Sequence, residues 1–311
     1  MKKGMEYTGT VEKVLFPNRG IVRVEGEEES VVIKNVIPGQ KVRFVVSKKR
    51  RKIEGRLLAV LAPSPMETAS DPCPHFPICG GCLYQTLPYE EQLALKEGQI
   101  EELLSPLLPF REIYGGMLAS PFSQEYRNKM ELTFGDREPG GELTLGMHRR
   151  GSFYDVLETT DCRLMDADMR TVARVSLQFF RDKGITYYHK RTHRGYLRHL
   201  LLRKAKRTGE MLICLVTSTD HAGMTREAAE PGFAKSYGQE NEEELLSDWR
   251  EALLSQTYEG SIAGILHTRN DRPADVVEDQ GTTVLFGKDH FQEEILGLAF
   301  TITPFSFFQT N

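Results

Sequence analysis

Residues 71–85 read DPCPHFPICGGCLYQ and place Cys73, Cys79 and Cys82 in a C-x5-C-x2-C pattern, with two prolines and the Gly80-Gly81 pair between them. A C-x2-C step lets two thiolates reach one metal centre, and the paired glycines let the backbone fold round it without Cβ clashes. Buried structural cysteines rarely cluster three in ten residues, and the N-terminal MKKGMEYTGT has no apolar run of the secretory kind, which argues against disulfides. Two metals stay open. Zinc would take the three cysteines and His75 from this one loop, whereas an iron-sulfur cluster needs a fourth thiolate from Cys162 or Cys214. Cys214 lies in the apolar run MLICLVT, where a small thiol is an ordinary tenant of a buried strand. Cys162 lies in polar ETTDCRLMD and is the expected distant ligand.

Upstream, the prolines of Ala62-Pro63-Ser64-Pro65 mark a boundary near residue 63. Before it, YTGTVEKV, GIVRVEG, ESVVIKNV, KVRFVVS and KIEGRLLAV are short β-branched stretches separated by turn signals, so residues 1–62 are expected to form a small all-β barrel. Residues 1–60 hold 14 Lys/Arg against 7 Glu, although the whole chain has a net charge of −4. Lys48, Lys49, Arg50, Arg51 and Lys52 crowd the expected last hairpin tip, and five adjacent cations repel one another unless a polyanion such as RNA neutralises them.

Downstream, Pro88 followed by Tyr89-Glu90-Glu91 opens a helix whose apolar residues are Leu93, Ile100, Leu103 and Leu104, giving a helical arm over 87–116. Residues 117–303 are expected to form an α+β domain with ELTF, LTLGMH, GSFYDVLE, RHLLLRKA and EMLICLVTS as strands and residues 165–184 as a helix. Basic residues recur along it, including Arg127, Lys129, Arg149, Lys190, Arg191, Arg194, Arg198, Arg203 and Lys204. Most scattered cations only solubilise a surface, and core or rim packing is the commoner fate of tyrosines such as Tyr188 and Tyr196. The acidic stretch 225–254 is expected to be a loop followed by an amphipathic helix using Leu245, Leu246, Trp249 and Leu253. No run is long and apolar enough to span a bilayer, so no membrane partner and a cytoplasmic location are expected.

The string CPHFPICGGCLYQTLPYEEQLALKEGQI resembles the iron-sulfur signature of the TRAM-containing RNA uracil-C5 methyltransferases, which methylate uracil in 23S ribosomal RNA. SPFSQEYRNKMELTFG, TTDCRLMD, GYLRHLLLRKAKRTGEMLICLVTS and GILHTRND resemble successive blocks of that family. The resemblance implies an OB-like TRAM barrel that binds RNA over 1–62, an iron-sulfur loop over 63–86, and a [4Fe-4S] cluster on Cys73, Cys79, Cys82 and Cys162. It implies ribosomal RNA as partner; the dense run Lys48 to Lys52 and, among the recurring cations, Arg127 and Lys129 are the expected RNA contacts. The final PFSFFQTN, residues 304–311, resembles the start of the family's Rossmann-like methyltransferase domain and makes Gln309 an S-adenosylmethionine contact.

The family's reaction needs a cysteine thiolate that adds to C6 of a flipped-out uracil and a base that removes the C5 proton. The chain offers no such cysteine and no Gly-rich nucleotide turn, so the expectation is a chain that lacks the methyltransferase domain, has no catalytic residue of its own, and binds RNA and a cluster without catalysis. The alternative is a standalone iron-sulfur or zinc RNA-binding protein with no transferase role.

Overall fold

The computed structural model describes residues 1–49, 52–221, 224, 241–274 and 276–310, which group into two compact units, Met1–Phe76 with Cys82–Pro121 and Pro77–Gly81 with Phe122–Asn311. Arg50, Arg51 and the loop expected over 225–240 lie outside the described residues.

In the first unit, β1 (Glu6–Leu15), β2 (Arg19–Arg23), β3 (Val31–Ile33), β4 (Lys41–Lys49) and β5 (Ile53–Ala62) close into a barrel in the order β1-β2-β3-β5-β4. The β3–β5 pair is parallel and the others are antiparallel. Alternate residues of these strands, among them Val11, Val22, Val31, Ile33, Val42, Phe44 and Val46, point inward and form the barrel core.

The prolines near residue 63 do not release a free linker. Ser64 is buried, and Glu67 accepts from the backbone of Ser64, the side-chain amide of Gln40 and the hydroxyl of Thr86. An apolar cluster of Ile37, Tyr84 and Leu87, with Leu95 packed against it, adds a second tie. These contacts explain why α1 (Tyr89–Leu104) and the four-residue α2 (Phe110–Ile113) group with the barrel, where the sequence suggested a separate arm. The helix starts at the expected residue, but Gln99 is its buried position and Leu103 stays exposed.

In the second unit, the described strands form a seven-stranded sheet in the order β12-β11-β10-β9-β6-β7-β8. In chain order these are β6 (Lys129–Gly135), β7 (Thr144–His148), β8 (Val156–Glu158), β9 (Leu197–Lys204), β10 (Glu210–Thr217), β11 (Ser261–Arg269) and β12 (Thr282–Gly287). Two helices, α3 (Ala167–Asp182) and α4 (Glu242–Leu254), line one face; α4 joins β10 to β11, which run parallel as such a crossover requires. A hairpin of β13 (Phe291–Ile295) and β14 (Leu298–Ile302) supplies Phe291 and Ile302 to the other face.

The apolar run of β10 follows from this double cover. Met211, Ile213 and Leu215 join the helix-side core, while Leu212, Cys214 and Val216 join the opposite one. Helix α3 begins at Asp166, whose side chain accepts from the backbone of Met169, and buries Met169, Val172, Ala173, Leu177 and Phe180 at helical spacing. Trp249 of α4 is fully buried, stacks on Phe180 at 6.0 Å and donates to Ser176 Oγ at 3.0 Å.

One sequence expectation needs correction here. The stretch 151–158 is a strand only over its last three residues, because Ser152 Oγ accepts from the backbone of Tyr154 and Asp155 and Gly151 takes a φ of +77°, which bends the chain into a turn. Residues 304–310, read from sequence as the opening of a further domain, group here with the second unit, where Phe308 packs on the hairpin-side core. Phe307, by contrast, is 89% exposed.

Trp249→Ala removes a fully buried ring and strands Ser176, and is expected to cost the second unit about 3–5 kcal/mol in urea unfolding followed by circular dichroism.

Candidate functional site

The sequence-predicted residues Arg127 and Gln309 lie 182 positions apart in the chain, yet the fold brings their segments together. Arg127 donates to Thr310 Oγ1 at 3.2 Å, Asn128 donates its side-chain amide to the carbonyl of Gln309, and the Asn128 backbone N–H reaches the carbonyl of Thr310 at 3.3 Å. Arg203, buried in β9, donates to the carbonyls of Thr303 at 2.7 Å and Ser306 at 2.6 Å. These contacts hold the backbone of the terminal segment, while the side chain of Gln309 stays exposed. Asn128 was not singled out in the sequence; the signal is its place in YRNKM, directly before a strand. Lys129 follows at the start of β6, 3.9 Å from Glu131.

The described residues of the basic run lie at the end of β4 and directly before β5. Lys49 of β4 pairs with Ile53 of β5, and Lys48 is ion-paired with Glu54 at 3.1 Å. That pair is exposed and contributes little to stability.

Arg198, Arg203 and Lys204, read from sequence as possible surface cations, are buried in β9. Arg198 donates to the carbonyls of Asn270, Arg272 and Ala274, which fixes the loop after β11. Lys204 bridges Asp166 at 2.8 Å and Asp168 at 2.6 Å. They are structural partners of the core, since a desolvated cation must be paired where it lies.

A buried polar hub escaped sequence reading altogether. Glu242, the first residue of α4, accepts from Tyr196 Oη at 2.9 Å and Arg269 at 2.8 Å, with His221 Nε2 3.1 Å away and His267 Nε2 4.0 Å away. Its sequence context is an acidic run, which hides a carboxylate turned inward. Burial pushes the His267 imidazole down to about 4 against the opposing pull of Glu242, and its Nε2 lies 2.8 Å from Thr217 Oγ1.

The cysteines are divided between the units. Cys73 and Cys82 belong to the first, Cys79 and Cys162 to the second, and none is in a disulfide. Within the second unit, residues 77–81 run beside the end of β7: Cys79 bridges Arg149, and the Gly80 N–H donates to the His148 carbonyl at 3.0 Å. A Cβ at Gly80 would lie 3.1 Å from that carbonyl oxygen, which accounts for glycine there. Among the described residues, no group of three or more His, Cys, Asp or Glu side chains is placed to hold a metal ion. Cys214 is buried and pushed up to about 12 by desolvation, so it is an inert thiol and not a nucleophile. Among the described residues, no helix is long and apolar enough to cross a membrane.

A scan against protein-family models finds no match. A protein of Clostridium tetani named an uncharacterized RNA methyltransferase is 39% identical over 316 residues, covering 100% of this chain and 63% of the relative. One of Clostridium acetobutylicum with the same description is 41% identical over 312 residues, again covering 100% of this chain and 63% of the relative. The chain therefore spans somewhat under two thirds of the length of these curated relatives.

The crystal structure of Pyrococcus abyssi tRNA (uracil-54, C5)-methyltransferase in complex with S-adenosyl-L-homocysteine superposes with a TM-score of 0.66, at 19% identity, over 98% of this chain and 61% of that one. The likeness is one of fold. These alignments overturn the expectation of a chain that lacks the methyltransferase domain and works without catalysis, and with it the standalone binder. The RNA methyltransferases match the whole of this chain, and position 311 carries no conclusion about what the protein contains.

His267 is neutral when folded below its ordinary value of 6.5 but protonates when unfolded, so stability is full above pH 6.5 and falls as pH drops from 6.5 toward 4. Urea unfolding at pH 7.0 and 4.5 should show a wild-type loss on the order of 2 kcal/mol that His267→Gln reduces.

Proposed function

We propose that the protein is an S-adenosylmethionine-dependent RNA methyltransferase that transfers a methyl group to C5 of uracil. The observation that carries this reading is the 39–41% identity to proteins named RNA methyltransferases along 100% of the chain. Uracil and its C5 are supported by the likeness to the Pyrococcus abyssi enzyme and by the sequence blocks that resemble the uracil-C5 family. Ribosomal RNA is the substrate class, with Lys48, Lys49, Arg50, Arg51 and Lys52 of the basic run and Arg127 and Lys129 before and within β6 as its electrostatic contacts.

S-adenosylmethionine supplies an electrophilic methyl group when bound. The exposed amide of Gln309 fits a hydrogen-bonding contact to it. Asn128 and Arg203 hold the backbone on which Gln309 sits, so that the amide is presented without an entropic search by a loose chain end.

The cluster is a separate part of the reading. It rests on the C-x5-C-x2-C spacing with Cys162 and on the resemblance, and its four cysteines are not gathered into a metal-binding group among the described residues. No chemical step is routed through it.

Purified full-length protein incubated with S-adenosylmethionine and transcripts of ribosomal RNA and of tRNA is expected to yield 5-methyluridine in the ribosomal RNA on nucleoside analysis. Methylation of tRNA alone would refute the ribosomal assignment, and no methylation of either would refute the enzyme. Gln309→Ala should raise KM for S-adenosylmethionine by about tenfold, the weight of one lost polar contact. Anaerobic purification should give a brown protein with iron and sulfide in equal amounts, and a colourless protein carrying one zinc would return the loop to a Cys3His site.

A further inference from the structure

Two loops of the second unit meet where the functional reading has no use for them. The turn between β7 and β8 is tightly closed: the Arg149 N–H donates to the Asp155 carbonyl at 2.9 Å, and the Ser152 N–H donates to the Arg149 carbonyl at 2.9 Å. With Ser152 Oγ capping the backbone of Tyr154 and Asp155, the turn is rigid, and yet it displays Phe153 at 75% exposure and Tyr154 at 49%.

The loop before β9 lies against it. Lys190 Nζ donates to the Phe153 carbonyl at 3.1 Å, the Arg191 guanidinium sits over the Tyr154 ring at 4.2 Å, and His189 pairs with Arg194 to close the loop. Arg149 and Arg194 carry well-exposed side chains, with Asp155 and Asp220 at 3.8 and 3.7 Å as their acidic neighbours. Two outward aromatics on a stiff turn, bordered by Arg149, Lys190, Arg191 and Arg194, thus form one surface.

A single exposed ring means nothing, because folded proteins show many. Cations alone would suit any polyanion, and rings alone would suit an apolar protein face. Rings and cations together match a polymer that carries flat apolar faces and a negative charge at every repeat, with those faces unpaired. The rigidity matters as well: a platform already ordered loses little entropy when a base stacks on it.

We propose that this surface is a stacking platform for single-stranded RNA, in which Phe153 and Tyr154 each take an unpaired base while Arg149, Arg191 and Arg194 hold the phosphates. The proposal rests on the RNA reading above and assigns it a site that the basic run at 48–52 and the region of Gln309 do not include.

The test measures binding of full-length protein to a fluorescent uridine-rich single-stranded 12-mer and to a duplex RNA of the same length. Phe153→Ala and Tyr154→Ala should each weaken single-strand binding about tenfold with an unchanged salt slope, and leave duplex binding as it was. Tyr154→Phe keeps the ring and should bind as wild type, whereas Phe153→Leu keeps the apolar bulk and should lose affinity. Arg194→Gln should reduce the salt slope by about one. Circular dichroism and thermal unfolding check that each variant is folded, and Phe153→Leu serves if the alanine variant is not.

Equal losses for single strand and duplex, or full affinity in the folded ring variants, would overturn the platform. A wild-type protein that methylates RNA while the ring variants bind normally refutes the platform alone. A wild-type protein that neither binds nor methylates RNA refutes the functional reading beneath it.

Discussion

Burial of β9 and β10 on both faces is the constraint from which the second unit follows. Their side chains alternate between a helix-side core and a hairpin-side core, so neither strand can be stable until both covers are in place. Helices α3 and α4 supply one cover through Phe180 and Trp249, and the β13–β14 hairpin supplies the other through Phe291 and Ile302. Because the hairpin must return to the sheet, the chain that leaves it is delivered alongside β9 and the start of β6. There, Arg203 and Asn128 take hold of its carbonyls.

That delivery gives the buried cations their meaning. Arg203 follows three leucines in a fully buried strand, where burial holds its guanidinium below its usual range, and its compensation is a pair of backbone carbonyls from the terminal segment. Arg198 does the same for the loop after β11. Each charge is costly in the core and is retained where it fixes a segment that has no strand partner, which is a positioning role and not an RNA contact.

Much of the fold was legible because it follows local pattern. The β-branched alternation of residues 6–62 reads as strands, and MLICLVT reads as a buried strand because only a doubly covered strand can be apolar throughout. Leu245, Leu246, Trp249 and Leu253 lie at helical spacing and are buried as such. What escaped depends on partners distant in sequence. No local signal says that Glu242, among eight acids in its stretch, faces Tyr196 and Arg269, or that Asn128 meets Gln309. Residues 151–155 read as strand because Phe153 and Tyr154 have high β propensity, and Ser152 and Gly151 outweigh it. The expectation of a chain without catalysis rested on the lack of a suitable cysteine and nucleotide turn before residue 311, and the match of RNA methyltransferases along the whole chain overturns it.

The central claim is methyl transfer to C5 of uracil, and C5 carries a hydrogen that this reaction must release. RNA transcribed with uridine tritiated at C5 provides the direct measurement when mixed with the full-length protein. The account predicts tritium release to water that depends on S-adenosylmethionine and matches the methyl groups incorporated one for one. Methyl incorporation without tritium release, or no incorporation at all, would contradict it.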